Sequence, residues 1–191
     1  MITSILMTGE LGAGKSLSAV MLAVLLSSGS SVPEQEVPIF SNITLFHENY
    51  KPIRSESDWH NIVDYRKSGS ILLLDETQSL LDSRQSMSKG NIQLTRFLAY
   101  LRKMRCLLIM TCPDYSMVDK RVRDMLSKHV HVTKHSGSTY WTIENPRDDS
   151  YVKTKRFTDG LEAIYPYYDT YELVAPIEIP NKLEDFIQEA C

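Results

Sequence analysis

A glycine-rich segment near the amino terminus has the residue types and spacing of a phosphate-binding loop. Residues 9–16 read GELGAGKS, which matches the pattern GxxxxGKS, and they follow a short apolar stretch. Glycines at these positions let backbone N–H groups approach phosphate oxygens, while the lysine ammonium and serine hydroxyl suit the terminal phosphates and Mg²⁺. The predicted nucleoside triphosphate site consists of Gly9, Gly12, Ala13, Gly14, Lys15, Ser16 and Leu17. A glycine-rich turn without a ligand is the alternative interpretation.

Two adjacent carboxylates at the end of an apolar run form the second chemical element. Residues 71–74 read ILLL, which is typical of a strand covered on both faces, and Asp75 and Glu76 follow directly. Carboxylates in such a place are costly unless a cation or hydrogen-bond donors meet them. We predict that Asp75 binds Mg²⁺ together with Ser16, and that Glu76 is the general base that activates a water molecule. A pair of helix-capping residues is the alternative.

Hydrolysis of a triphosphate also needs groups that contact and neutralise the terminal phosphate. Residues 106–111 predict another buried strand, and Thr111 at its carboxyl end has a hydroxyl suited to contact a phosphate or the attacking water. Because no arginine lies in the phosphate-binding loop or beside Glu76, we expect a neighbouring subunit to supply one. The candidates are Arg84, Arg96, Arg102, Arg105, Arg121 and Arg123.

Alternating strands and helices are predicted to position these groups. The predicted strands are residues 2–7, 39–45, 71–74 and 106–111, and the predicted helices are residues 17–26, 55–67, 92–104 and 118–126. The sequence also predicts a mobile loop at 82–90 and a hairpin formed by 130–133 and 140–143. This order predicts an α/β fold of the P-loop NTPase type, with a mainly parallel central sheet flanked by helices.

The last third of the chain is less regular than the part before it. We therefore predict a P-loop core at residues 1–135 and a C-terminal extension at residues 136–191 that packs on the core or on a neighbouring subunit. The tyrosines between Tyr165 and Tyr171 are expected to be core or interface anchors, which is their commoner role, and not part of a chemical site.

Composition excludes several protein classes. The 191 residues are 42% hydrophobic and 24% charged with a formal net charge of -3, which excludes disordered, collagenous and disulfide-scaffold chains. Three scattered cysteines are too few for a zinc site and favour a reducing compartment. The longest apolar run, residues 19–26, is too short for a membrane span or a signal peptide, so we expect no transmembrane segment in this chain.

Charge is distributed unevenly along the chain. Residues 115–157 contain nine lysines and arginines against five acidic residues, whereas residues 158–191 contain one against eight. Ordinary surface variation is one interpretation. The other is a nucleic-acid contact region, because neutralising phosphates requires local positive charge and not a positive total.

These motifs together resemble a known superfamily. The segments that carry the resemblance are GELGAGKS at 9–16, LDETQ at 74–78, RKMR at 102–105, LLIMTCP at 107–113 and PDYSMVDKRVR at 113–123. They are similar to the FtsK/HerA superfamily of additional-strand P-loop ATPases. Within that superfamily they resemble zonular-occludens-toxin-like phage assembly proteins and the genome-packaging ATPases of tailless viruses with an internal membrane. The resemblance covers residues 1–135.

The resemblance implies a substrate, a cofactor and partners. ATP would be the substrate and Mg²⁺ the cofactor, and the protein would form a homo-oligomeric ring, often a hexamer, that moves double-stranded DNA through a channel lined by residues 115–157. Arg102 matches the superfamily's arginine finger by its spacing before the strand at 106–111. Where the family usually has a sensor glutamine this chain has Cys112, which leaves the sensor role to Thr111 or unfilled.

Three functions are compatible with these observations. Because no membrane helix follows within this chain, the resemblance favours a packaging motor in the host cytoplasm, or associated with the virion, with capsid or membrane-vertex proteins as partners. The second hypothesis is a phage assembly ATPase of the zonular-occludens type, truncated before its membrane helix. The third is a slow nucleotide-dependent switch or scaffold.

Overall fold

The computed structural model describes residues 2–29, 37–78, 89–158, 161–174, 179–180 and 187. Eight strands among these residues form one sheet in the order β3-β2-β4-β5-β1-β6-β7-β8. The strands are β1 (Ser4–Thr8), β2 (Ile39–Ser41), β3 (Tyr50–Pro52), β4 (Ser70–Leu74), β5 (Cys106–Cys112), β6 (Lys128–His135), β7 (Ser138–Asn145) and β8 (Asp148–Phe157).

Every pair of neighbouring strands within the series β3-β2-β4-β5-β1-β6 is parallel. Strand β5 lies between β4, which Asp75 follows directly, and β1, which leads into the glycine-rich loop. This inserted strand and the parallel order confirm the predicted P-loop NTPase fold. In parallel sheets the carboxyl ends of the strands share one edge, so the glycine-rich loop, Asp75 and Thr111 meet there.

Helices cover both faces of the sheet. They are α1 (Lys15–Ser28), α2 (Glu56–Asp64), α3 (Lys89–Tyr100) and α4 (Lys120–Met125). Helix α1 packs on the face that carries Ile71 and Leu73 of β4, while α2, α3 and α4 pack on the face that carries Leu72 and Leu74. Strand β4 is therefore buried on both sides, which explains its unbroken apolar sequence.

Most predicted elements differ from the observed ones by a few residues, and two differ most. The strand predicted at 39–45 ends at Ser41, because the Ser41 carbonyl accepts a hydrogen bond from the Ile53 N–H at 2.8 Å and its hydroxyl caps the Ile43 N–H at 3.2 Å. The helix predicted at 92–104 begins at Lys89 and ends at Tyr100. The loop predicted at 82–90 lies outside the described residues, except that residues 89 and 90 belong to α3.

The predicted hairpin is confirmed and is part of a larger antiparallel extension. Strands β6 and β7 pair through the whole hairpin, and β8, which the sequence analysis missed, pairs with β7. Residues 138–157 thus continue the sheet of the core across the proposed boundary at 135/136. The division into two domains itself stays a prediction.

A segment that we call the C-terminal strap, residues 161–172, crosses the α1 face. It begins with a short 3₁₀ helix that contacts α1. It then pairs with the loop after β2, where Leu45 bridges Tyr168 and the Glu172 carboxylate accepts two hydrogen bonds from Thr44, at 2.6 Å and 2.8 Å. These contacts place the strap over the carboxyl edge of the sheet.

Candidate nucleotide site

The glycine-rich loop connects β1 directly to α1. The Gly9 N–H donates to the Pro113 carbonyl at 3.2 Å, which ties the start of the loop to the end of β5. Gly9 has φ +152°, and a Cβ there would lie 2.2 Å from the carbonyl oxygen of Val132 in β6. Because that neighbour is backbone and cannot move aside, the position requires glycine.

Lys15, the first residue of α1, has its ammonium at the mouth of this loop. Its Nζ donates to the carbonyl oxygens of Gly9 and Glu10, each at 2.9 Å. An ammonium has three N–H donors, so one remains for a ligand in this arrangement. The lysine is thus held by the loop that would bind the phosphates.

Ser16 and Asp75 meet across the gap between α1 and β4. The Ser16 hydroxyl donates to Oδ2 of Asp75 at 2.9 Å, and Asp75 is buried. Burial raises the pKa of the Asp75 carboxyl, although hydrogen bonds from Thr111 and Ser16 and the charge of Lys15 oppose the rise. A desolvated carboxylate beside a hydroxyl is a pair of hard oxygen ligands, and Mg²⁺ is commonly bound by one carboxylate together with substrate phosphates. The residues present therefore fit Mg²⁺, which Ser16 and Asp75 would bind.

Asn42 fixes the backbone of Asp75, a role that the sequence analysis missed. Its Nδ2 donates to the Asp75 carbonyl at 2.9 Å, and its Oδ1 accepts from the Asp75 N–H at 2.8 Å. The carboxamide therefore replaces the ladder hydrogen bonds that β2 no longer supplies after Ser41. Residue 42 lies inside the strand predicted at 39–45, so the sequence pattern did not indicate this role.

Glu76 is exposed and has a left-handed backbone, with φ +53°. This conformation is uncommon for a residue other than glycine, and it occurs often at functional sites. The Glu76 N–H donates to Oγ1 of Thr111 at 3.0 Å, and the Thr77 N–H donates to the Thr111 carbonyl at 3.0 Å. Strand β5 therefore holds the turn that contains Glu76.

The hydroxyl of Thr111 is occupied by other residues of the chain. It donates to Oδ1 of Asp75 at 2.6 Å while it accepts from Glu76, and Thr111 is buried. A hydroxyl has a single hydrogen, so in this arrangement none is left for a phosphate oxygen. The predicted sensor role stays untested, and the observed contacts instead make Thr111 a positioning residue.

One cleft of about 440 Å³ brings most of the predicted site residues together. Its lining includes Gly12, Gly14, Lys15, Ser16, Leu17, Glu76 and Thr111. Ala13 and Asp75 are buried behind this lining, and Gly9 is covered by β6. The described residues include no cluster of three or more His, Cys, Asp or Glu side chains that could hold a metal ion, so Asp75 with Ser16 remains the candidate.

The opposite wall of the cleft comes from parts of the chain that the sequence analysis did not assign to the site. The β6–β7 hairpin contributes Lys134, Gly137 and Thr139, and the strap contributes Leu161, Tyr165, Tyr168 and Thr170. The tyrosines expected to be core or interface anchors thus include two that line the cleft. Burial, together with the negative charge of nearby Asp75, raises the pKa of Tyr168 to about 12.

The profile of the zonular occludens toxin (Zot) family matches residues 3–171, which is most of the chain. The chain belongs to the Zot family. No curated protein sequence matches it.

Solved structures share the fold of this Zot-family chain. The N-terminal domain of zonular occludens toxin from Neisseria meningitidis is 19% identical, with a TM-score of 0.63 over 88% of this chain and 100% of that one. The genome packaging NTPase of Sulfolobus turreted icosahedral virus 2, solved with ATPγS, is 10% identical, with a TM-score of 0.57 over 80% of this chain and 96% of that one. The DNA-packaging ATPase of Sulfolobus turreted icosahedral virus is 13% identical, with a TM-score of 0.58 over the same shares, 80% and 96%.

Arg102 is the one predicted site residue of the Zot-family chain that lies away from the cleft. It is exposed in the turn before β5, whereas Thr111 lies near the carboxyl end of that strand. At about 3.3 Å per residue, the strand separates the two by roughly 15–20 Å. In its own subunit Arg102 cannot reach the cleft, so the predicted role would require a neighbouring subunit.

The neighbouring Arg105 is engaged by its own subunit. Its guanidinium donates to the Lys67 carbonyl at 2.6 Å.

Among the described residues of the Zot-family chain, no helix is long and apolar enough to span a bilayer.

Proposed function

We propose that this chain is a Mg²⁺-dependent ATPase that works as a homo-oligomer and moves DNA during phage assembly. The observation that carries the proposal is the single cleft in which Lys15, Ser16 and Glu76 meet, with buried Asp75 directly behind Ser16. Each of these side chains suits one requirement of phosphoanhydride hydrolysis.

The chemistry divides among four residues. Lys15 has one N–H available for a phosphate oxygen besides the two that the loop carbonyls accept. Ser16 and Asp75 would hold Mg²⁺, which would supply positive charge beside the phosphate oxygens. Glu76 is exposed in the cleft, and its carboxylate accepts the proton of the attacking water.

Family membership selects among the processes that such an ATPase could drive. The sequence alone favoured genome packaging. The Zot family match over residues 3–171 instead favours phage assembly. Packaging is the second candidate, supported by the shared fold with the two viral packaging enzymes. Either process would occur in a host cell, and packaging would add capsid or membrane-vertex proteins as partners.

The antiparallel extension supplies a surface for DNA. Lys153, Lys155 and Arg156 are exposed on β8, the edge strand of the sheet. Positive charge on an exposed edge suits contacts to phosphates that do not depend on base sequence. In a ring, several copies of this edge would surround double-stranded DNA.

Steady-state ATP turnover with and without double-stranded DNA tests the proposal. A motor should hydrolyse ATP faster with DNA, and its mass in solution should reach that of an oligomer, a hexamer by resemblance, when a non-hydrolysable ATP analogue is added. Lys15→Ala is the control, because losing its charge should weaken ATP binding at least tenfold, about 1.4 kcal/mol. Equal ATP affinity in both proteins would make the site assignment wrong. Assembly with ATP but negligible turnover would favour the switch.

A further inference from the structure

Lys134 of β6 lies in the nucleotide cleft, where no motif places it. It lines the same cleft as Gly12, Gly14 and Lys15 of the phosphate-binding loop. Among the described residues, no ion pair or hydrogen bond engages its ammonium. A lysine at such a position is available to a ligand.

The strand pattern fixes the face on which Lys134 lies. Val130 and Val132 of β6 belong to the core beneath α1, and side chains two residues apart share a face of a strand. Lys134 is the next residue of that row, and Thr139 is its partner in register on β7. The Lys134 side chain therefore lies on the face from which the phosphate-binding loop rises.

Two neighbours of the loop glycines show where the β6–β7 hairpin lies beside the loop. The Val132 carbonyl oxygen lies so near Gly9 that a Cβ there would be 2.2 Å away. Beyond it, Oγ1 of Thr139 lies 4.0 Å from the position that a Cβ on Gly14 would take. Lys134 and Thr139 therefore flank the loop between its first and last glycines.

The charges of the site favour a cation in addition to Lys15 and Mg²⁺. Asp75 and Glu76 are two carboxylates at the place where a polyphosphate must bind, and Lys15 is the cation that the motif supplies. Like charges that share a partly desolvated site repel one another more strongly than in water. A second lysine on the other wall of the cleft would offset this repulsion.

We propose that Lys134 is a second phosphate-binding cation, which contacts the polyphosphate of the nucleotide from the same subunit that supplies the phosphate-binding loop. This inference rests on the proposed function, because it assumes that the cleft binds a nucleoside polyphosphate. It makes the β6–β7 hairpin a part of the nucleotide site.

Calorimetric titration of the full chain with AMP, ADP and a non-hydrolysable ATP analogue tests this inference. Lys134→Met keeps most of the methylene chain but removes the charge, and it should weaken binding of ADP and of the ATP analogue roughly tenfold, as expected for the loss of a charge-assisted contact. Lys134→Arg should retain most of the affinity. Lys67→Met, which removes an exposed lysine in the turn before β4, should bind like the wild type.

The titrations separate this inference from the proposed function. If the wild type binds the ATP analogue and Lys134→Met binds it equally well, Lys134 is not a phosphate ligand and the proposed function is unaffected. An equal loss with Lys67→Met would also overturn the inference, because the effect would then come from net charge alone. If the wild type binds no nucleotide, the proposed function and this inference both fail. A larger loss for ADP than for AMP supports contact with the polyphosphate.

Discussion

The hydroxyl of Thr111 donates a hydrogen bond to Oδ1 of Asp75 at 2.6 Å. Oγ1 of Thr111 also accepts a hydrogen bond from the Glu76 N–H at 3.0 Å. One hydroxyl on β5 therefore sets the positions of both acidic residues that follow β4. Because the pair is buried, neither group can exchange this partner for water. The geometry of the proposed metal ligand and that of the proposed general base are therefore coupled through Thr111.

Thr111→Val should destabilise the protein and lower turnover. Valine has nearly the same shape but no hydroxyl, so Asp75 Oδ1 and the Glu76 N–H would each lose a partner, at a cost of about 1–3 kcal/mol. Urea unfolding and steady-state ATP hydrolysis measure the two effects. Thr111→Ser keeps the hydroxyl and should retain most of the activity. If the valine variant has the stability and the ATP turnover of the wild type, the coupling of Asp75 and Glu76 through Thr111 is unimportant.

Glu76→Gln should separate nucleotide binding from hydrolysis. Glutamine keeps the size and the hydrogen-bonding capacity but cannot accept the proton of water, so ATP turnover should fall by roughly 10² or more while affinity is retained. Binding by calorimetry and phosphate release give the two values. Normal turnover in this variant would place the general base elsewhere in the cleft.

Arg102→Ala should bind ATP normally and hydrolyse it poorly. The residue is too far from the cleft of its own subunit to act there. An arginine finger supplied by a neighbouring subunit can raise the rate by about 10³-fold or more. Mixed with Glu76→Gln, it should regain some turnover, because one kind of mixed interface combines an intact Glu76 with an intact Arg102. Specific activity should also rise with protein concentration.

The neighbouring Lys103 provides the matched control for that experiment. Lys103 is exposed in the same turn, and its ammonium lies over the ring of Tyr100 in its own subunit. Lys103→Ala should therefore leave turnover unchanged. Two co-assembled variants that show no rescue, or turnover from a species that stays monomeric, would refute a role of Arg102 across an interface.

His129 should make stability depend on pH. Burial lowers the pKa of its imidazole below 6.5, against the opposing effect of Glu144, and its Nε2 lies 2.7 Å from Oγ1 of Thr8. Below pH 6.5 the unfolded chain therefore binds a proton before the folded protein does, so stability should fall as the pH decreases through the interval between the two pKa values. Thermal unfolding of His129→Gln should show a weaker dependence, while His135→Gln, at an exposed position of the same strand, should match the wild type. Equal slopes for all three proteins would contradict this expectation.

Local sequence predicted the site residues that directly follow an apolar strand. The loop at 9–16, Asp75 and Glu76 were identifiable because each follows an apolar run directly, and parallel strands bring their carboxyl ends to one edge. Asn42 and Lys134 gave no comparable signal, because their roles depend on where β2 ends and on how far β6 extends beyond β1.

By itself, the sequence determined the residue types of the phosphate-binding loop, the apolar strands on either side of it and the order of helices and strands that makes the sheet parallel. Tertiary structure decided which groups complete the cleft. The hydroxyl of Thr111 is taken up by Asp75 and Glu76, the strap brings Tyr165 and Tyr168 to the opposite wall, and Arg102 lies at the far end of β5. These outcomes depend on contacts between residues distant in sequence, and such contacts are set by packing and not by local pattern.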